Sequence, residues 1–416
     1  VPNREAEPGS LRNTPAAAPR ATSNPPPSKQ ASQPASQSFD QSVLLKVPSP
    51  LPLLSRSAGF VVGGSGVVGR AILEDLTVTG INYVALSRRP PDLPDSHFVA
   101  LDLNDASQCH QVVDSHLRDV THVVYAALYE QPGLIAGWQN DEQMQQNLTM
   151  LSNLMTPLSK QSFQLQHITL LQGTKAYGAH VAPMTIPGRE REARHPHKNF
   201  YWLQEDFLRE QAAQHNWAFT IWRPQIIFGH ALNAPMNMLA ALGAYAALQS
   251  HQGLSLSYPG GPSGVMEAID ADILARAIRF AWSNDAFVNE TFNITNGDVF
   301  RMQDIWPILC DIFNMDAGPP APRLLSETCY DQETIWTEIV AHHNLKPHSL
   351  RGVVGDSFFY ADALFNAGGT QPPPPSLLST IKLREAGFAE CVDTEVMLRR
   401  WFAKLQDLAI LPNPRK

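Results

Sequence analysis

A doubly wound α/β fold built on a parallel sheet is what this chain of 416 residues predicts, and three observations predict it. A short apolar run, Gly59-Phe-Val-Val62, enters a glycine turn, Gly63-Gly-Ser-Gly-Val-Val-Gly69, and leaves it as a helix with apolar residues at Val68, Ile72 and Leu76. Further short apolar runs then alternate with helical periodicity, the pattern of a parallel sheet covered on both faces. Ahead of all this, the first fifty residues hold ten of the 34 prolines amid Ser, Ala, Gln and Asn, with Phe39 the only aromatic. Such a tail has too little apolar surface to offset its ordering entropy, so it is expected to be disordered.

Taken in order, the first strand core covers 60–62 and its helix starts at Val67. In the turn, Gly63 permits the tight bend, Gly66 lets a pyrophosphate approach the backbone, and Gly69 allows close helix packing. Ser65 and Val67 complete this expected dinucleotide cradle. A second strand over 82–86 ends in Ser87-Arg88-Arg89. An acidic residue there would bond the ribose 2′-hydroxyl of NAD, whereas arginine pairs with the 2′-phosphate of NADP, so NADPH is the expected cofactor. A third strand over 97–101 runs into Asp102 and Leu103, positioned to cover the adenine ring. The fourth, 121–125, ends in the small residues Ala126 and Ala127, which let the dinucleotide cross the strand ends. Helical periodicity between Glu142 and Leu158 leads to a fifth strand over 165–171. A sixth over 219–224 ends in Arg223-Pro224-Gln-Ile226-Ile-Phe228-Gly229, where Pro224 and Ile226 are assigned to the cofactor. Ligands of such a sheet lie beyond the carboxyl ends of its strands, so all these loops face one crevice.

This is a Rossmann arrangement. The chain is accordingly divided into a disordered tail over 1–56, an NADPH-binding core with the catalytic residues over 57–230, and a segment over 231–416 that completes the sheet and forms a smaller substrate-binding subdomain. Beyond the tail, about 360 residues suffice for one large domain with such an appendage.

Composition narrows the function. The formal charge is −8, of which residues 1–50 contribute five Lys and Arg against three Asp and Glu, leaving −10 on the remainder. With no basic run, nucleic acid is not an expected partner. Cys109, Cys310, Cys329 and Cys391 show no CxxC spacing, which argues against a zinc framework or a disulfide scaffold and for a cytoplasmic location. His195-Pro-His197 and His342-His343 lack Cys or carboxylate companions at metal spacing, so they are read as surface residues and no metal is expected. No window reaches the ~18 apolar residues of a membrane span. The apolar stretch over 43–54 is cut by Pro48, Pro50 and Pro52 and is a poor signal peptide, and Glu5 and Glu7 count against a transit peptide. The Asn147, Asn289 and Asn293 matches to the glycosylation pattern are read as chance.

The chemistry lies in two segments, Leu171-Gln-Gly-Thr-Lys-Ala-Tyr-Gly178 and Asn199-Phe-Tyr-Trp-Leu-Gln-Glu-Asp-Phe-Leu208. Short-chain dehydrogenases usually carry Tyr-x-x-x-Lys on one helix, but here Tyr201 is followed at +4 by Glu205, whose charge would oppose phenolate formation. Lys175, just past the fifth strand, is the expected replacement cation. Gly-Thr-Lys-x-Tyr, Asn-Phe-Tyr-x-x-x-Glu-Asp, Arg-Pro-x-x-Ile-Phe-Gly and Asn293-Ile-Thr-Asn-Gly-Asp-Val-Phe300 together resemble the progesterone 5β-reductase/iridoid synthase family of atypical extended short-chain dehydrogenases. The resemblance runs from about Gly59 to Pro412 and implies an NADPH-dependent reductase of activated carbon–carbon double bonds, with its catalytic tyrosine at Tyr201 and its lysine at Lys175. Trp202 replaces the family's second tyrosine, and the loop Ala126-Ala-Leu-Tyr129 departs from many plant members, which bears on the substrate more than on the reaction.

In the expected mechanism, hydride reaches the β-carbon of an enone and the Tyr201 hydroxyl, made a better donor by Lys175, stabilises the enolate oxygen. Tyr129, Tyr177, Trp202, Phe228, Met236, Met266, Phe358 and Phe359 are chosen as lining for a hydrophobic small molecule. Three rivals are ketone or aldehyde reduction at the same centre, a nucleotide-sugar epimerase or dehydratase, and a catalytically silent NADP-binding regulator. A homodimer is left open.

Overall fold

The computed structural model describes residues 58–162 and 164–414, and the expected tail over 1–56 lies outside the described residues. Its main sheet is formed by β1 (Ala58–Val62), β2 (Asn82–Ser87), β3 (Phe98–Ala100), β4 (Val120–Tyr125), β5 (His167–Leu171), β6 (Ala218–Pro224) and, after the short pair β7 (Ile226–Phe228) and β8 (Ala268–Asp270), the strand β9 (Glu290–Ile294). All seven strands run parallel in the order β3-β2-β1-β4-β5-β6-β9. The order reverses between β1 and β4, which opens the crevice at their carboxyl ends.

Helices cover both faces because the strands are apolar on both. Phe60, Val62, Val123, Tyr125 and Ile221 point into a core closed by α2 (Ala106–His116), α3 (Asp141–Gln161) and α4 (Phe200–His215), through Val113, Leu151, Leu154, Leu158 and Leu208. Val61, Val124 and Trp222, one position out of phase, point into the other core, closed by α1 (Val67–Thr79), α5 (Met238–His251) and α6 (Ala271–Ala281).

The larger core continues through α7 (Met302–Ile312), α8 (Leu325–Thr328), α9 (Glu333–His342), α10 (Leu350–Val354), α11 (Ser357–Leu364), α12 (Ile381–Glu385) and α13 (Thr394–Asp407). The last helix returns to earlier parts of the chain: Lys404 Nζ meets Glu74 of α1 at 2.8 Å, and the Trp401 indole N–H donates to Asp270 at the end of β8 at 3.1 Å.

The six strands read from apolar runs lie where they were expected, within two residues of their ends, whereas β7, β8 and β9 were not read as strands. In β9 the polar Asn293 sits fully buried because every one of its groups is used: its amide donates to the Gly188 and Ser379 carbonyls at 3.0 and 3.1 Å, and its oxygen accepts from the Tyr177 hydroxyl at 2.7 Å. Asn147 is buried on α3 in the same way, so two of the three glycosylation-like triplets mark structural asparagines. Among the described residues no helix is long and apolar enough to cross a membrane, and no group of three or more His, Cys, Asp or Glu is arranged to hold a metal.

Candidate active site

The glycine turn between β1 and α1 is as tight as its spacing implies. Gly63 adopts φ +86°, and a Cβ there would lie 2.8 Å from the Ala126 carbonyl group. At Gly69 a Cβ would lie 2.2 Å from the Gly63 carbonyl oxygen, so the helix packs on its own turn only through glycine. The Gly63 and Gly64 N–H groups both donate to Leu86 O at 2.7 and 3.1 Å, strapping the turn to the end of β2. No side chain caps α1 and its first turn carries no acid, which leaves the positive end of the helix facing the crevice. This cradle fits the pyrophosphate of a dinucleotide.

Ser65, Gly66 and Val67 are half-exposed along the same turn. Arg88 and Arg89 follow β2 and are exposed; neither forms an ion pair among the described residues, although Arg89 Nη2 donates to the Asn233 carbonyl at 3.4 Å. Asp102 is exposed and accepts from the Asn104 backbone and amide N–H groups, both at 3.0 Å, while Leu103 belongs to the core. Ala126 hands its N–H to Val62 O at 2.9 Å beside Gly63. Pro224 is buried at the end of β6, and Ile226 is half-buried on β7.

Tyr201 occupies the first turn of α4, and the helix cap ties it to the lysine loop. Asn199 Oδ1 accepts the Tyr201 N–H at 3.0 Å while its amide donates to the Lys175 carbonyl at 3.0 Å. The hydroxyl of Tyr201 lies beside Gly173, where a Cβ would be only 3.3 Å from it. Burial pushes this phenol well above the usual tyrosine range; the charge of Glu130 and the neighbouring Tyr360 act the same way, against Arg223. At neutral pH it is therefore an O–H donor.

Lys175 sits on a single 3-10 turn after β5, with its Nζ 3.5 Å from Glu130 Oε1 and 3.8 Å above the Trp138 ring. No hydrogen bond joins the Lys175 and Tyr201 side chains among the described residues. Burial draws the lysine below its ordinary range, with Glu130 opposing, and raises Glu130, with Lys175 opposing.

Glu205 stands one turn beyond Tyr201, as the sequence placed it, and its charge is met on the spot. Gln172 Nε2 and Arg209 Nε donate to it at 2.9 and 3.0 Å, Arg194 lies at 3.1 Å and Arg223 at 3.8 Å. Burial would raise this carboxyl, but these partners outweigh it and hold it below its ordinary value. Arg223 spans this network and the rings of Tyr177 and Trp202, at 5.1 and 5.7 Å.

The expected lining residues divide. Trp202 and Tyr201 cluster with Met144, Ala176 and Phe200 near Lys175. Tyr129 is half-buried in the loop after β4, and Met236 and Met266 are half-buried. Tyr177 turns its hydroxyl away to Asn293. Phe228 and Phe358 are enclosed in the core, while Phe359 joins Phe358 against the Tyr330 ring. Sequence reasoning missed Glu130, Trp138 and Tyr360; the one available signal was a lone acid five residues past the end of β4. His195 and His197, read as surface residues, are half-buried, their rings 4.6 Å apart and His180 4.9 Å from His197.

The NAD dependent epimerase/dehydratase family model matches residues 60–295. The chain is 28% identical over 382 residues to an (S)-8-oxocitronellyl enol synthase of Antirrhinum majus, covering 86% of this chain and 93% of that protein. It is likewise 28% identical over 384 residues to a 3-oxo-Delta(4,5)-steroid 5-beta-reductase of Arabidopsis thaliana, with 86% and 93% covered. Among solved structures, UDP-glucose 4-epimerase from Thermotoga maritima superposes with a TM-score of 0.60 at 17% identity, over 84% of this chain and 99% of that one. The Thermus thermophilus epimerase in complex with NAD gives 0.58 at 16%, over 84% and 99%, a likeness of fold. With the glycine cradle and the strand order already in place, these matches show that the chain belongs to the NAD dependent epimerase/dehydratase family and is an NAD(P)-dependent oxidoreductase of the short-chain dehydrogenase/reductase superfamily.

Proposed function

We propose that the protein reduces the activated carbon–carbon double bond of a hydrophobic enone or enal at the expense of NADPH. The observation that carries this reading is the buried, protonated Tyr201 hydroxyl beside Gly173 at the end of β5, on the crevice into which the glycine cradle opens. Gly63, Gly66 and Gly69 would hold the pyrophosphate, and the exposed Arg88 and Arg89 the 2′-phosphate that distinguishes NADPH. When bound, NADPH supplies a hydride to the substrate's β-carbon. The Tyr201 hydroxyl donates to the carbonyl oxygen on which negative charge then accumulates, and one such donor contributes roughly 3 kcal/mol in the transition state. Lys175 contributes a positive charge at the same crevice without bonding the phenol. The α-carbon takes its proton from solvent. The relatives named for enol synthesis and steroid 5β-reduction support this chemistry, and the neutralised Glu205 in place of the usual helix lysine weighs against sugar epimerisation. The four free cysteines support a cytoplasmic location.

The test is to incubate the protein with NADPH and a panel of enones, saturated ketones and UDP-sugars. Enone consumption yielding saturated carbonyls, with kcat about 100- to 1000-fold lower in Tyr201→Phe and also reduced in Lys175→Ala, is the expected result. Turnover of ketones or sugars alone, or cofactor binding with no turnover at all, would replace this reading by one of its rivals.

A further inference from the structure

Glu130 has no part in the chemistry just described, yet the fold is built to place it. Its side chain is 1% exposed. On one side, buried Asn147 of α3 accepts from the Tyr129 N–H and donates to the Tyr129 carbonyl, both at 2.9 Å. On the other, Gln143 of α3 accepts from the Gln131 N–H at 2.8 Å, and its amide donates to Glu130 Oε2 at 2.7 Å. The backbone is thus locked one residue before and one residue after the carboxylate. Glu130 Oε1 is buried without a hydrogen bond of ordinary geometry and faces Lys175 Nζ at 3.5 Å, while the Trp138 ring lies 3.8 Å from the same ammonium. A half-satisfied buried carboxylate is costly unless a cation compensates it.

We propose that Glu130 is the positioning residue of this site: its carboxylate, fixed by Asn147 and Gln143, keeps the Lys175 ammonium charged and seated against the Trp138 ring on the crevice that holds Tyr201. The other ionisable groups around the pair are Tyr201 on α4 and Tyr360 on α11, both pushed up by burial with Glu130 adding to it, and His180, pushed down to about 4 by burial, then by His197, Lys175 and His195. Arg223 faces Tyr201 from β6. Only the bearing of Lys175 on enone reduction rests on the proposed function; the seating of the lysine does not.

The experiment follows Lys175 itself. Reductive methylation of the protein without cofactor, quantified at Lys175 by peptide mass spectrometry from pH 6 to 11, reads the fraction of free amine. Glu130→Gln, which preserves shape and can still accept from Gln143, is expected to lower the pH of half-labelling by at least one unit, and Glu130→Asp to return it most of the way. Gln143→Met, which frees the carboxylate without removing it, is expected to move the curve in the same direction by less, and it serves where Glu130→Gln fails to fold. NADPH affinity, read by fluorescence titration, should be unchanged in all three. A labelling curve for Lys175 that stays in place in Glu130→Gln or, failing that variant, in Gln143→Met overturns the proposal even if enones are turned over. A shifted curve in a protein that reduces no enone sustains the proposal and removes the functional reading instead.

Discussion

The Tyr201 hydroxyl lies against Gly173, and the missing side chain of that glycine leaves room for it. Gly173 has φ 175°, an extended backbone any residue adopts, so Gly173→Ala adds a methyl group without backbone strain. That methyl would sit 3.3 Å from the hydroxyl, and the ring must shift by a few tenths of an ångström. Catalytic placement is sensitive to shifts of this size, so kcat is expected to fall about tenfold while the melting temperature stays within a degree or so of the parent. A different residue pair governs acid stability. At the ends of β4 and β5 away from the glycine turn, His122 bonds Thr121 Oγ1 and His167 bonds Thr220 Oγ1, each at 2.9 Å, with rings 6.1 Å apart. Burial pushes His122 down to about 4, and burial with the charge of His122 pushes His167 down to about 3. Both are neutral when folded and bind protons near pH 6.5 when unfolded. Their contribution is whole above that pH and is lost as pH falls from 6.5 towards 3. His167→Gln should flatten the melting temperature across pH 4–6.5; an unchanged slope there would show that other groups set it.

At the scale of elements, the proposed reading makes the end of β2 the part of the chain that selects the cofactor. Replacing both Arg88 and Arg89 by alanine removes two exposed guanidinium groups that hold no ion pair among the described residues, so stability should be unaffected. The dissociation constant for NADPH, measured by fluorescence titration, is expected to rise at least tenfold, about 1.4 kcal/mol, while that for NADH barely moves. This feature was legible because it is local: strand, glycine turn, helix and the residues past the next strand are each written in a few consecutive letters. Lys175 and Tyr201 were legible in the same way, as neighbours of a strand end and of a helix start. What joins them was not. Asn199, Glu130 and Trp138 come together through loops whose course depends on packing against α3, and Glu130 in isolation reads as any loop acid. Apolar identity also does not say which way a ring points, so Phe228 and Phe358 were chosen for the pocket and lie within the core. Strand β9 escaped because its Thr, Asn and Glu break the apolar run, the Asn being satisfied by partners from three distant segments.

For the molecule as a whole, Asp270 is the junction between α6 and the C-terminal helix α13. It caps α6 by accepting the Asp272 N–H at 3.0 Å, accepts the Trp401 indole N–H and pairs with Arg400 of α13. Removing it deletes a helix cap, leaves an indole donor buried without a partner and takes away one of the two carboxylates paired with Arg400, a guanidinium that is 42% exposed and keeps Asp272. Asp270→Ala is therefore expected to cost about 2–3 kcal/mol by chemical denaturation, discounted for that exposure. Arg400→Ala should cost less than half as much, because the cap and the indole bond survive.

The same return of α13 onto α1, with β9 as outer strand of the sheet, sets an order of events at the ribosome. The leading half of the chain emerges with one side of its sheet covered by α1 alone, since α5 and α6, which complete the core over Val61 and Val124, are translated later. A nascent chain stalled before α5 would expose that apolar side and engage chaperones, and ribosome-bound intermediates should become fully resistant to protease only after the C-terminal helix has cleared the exit tunnel.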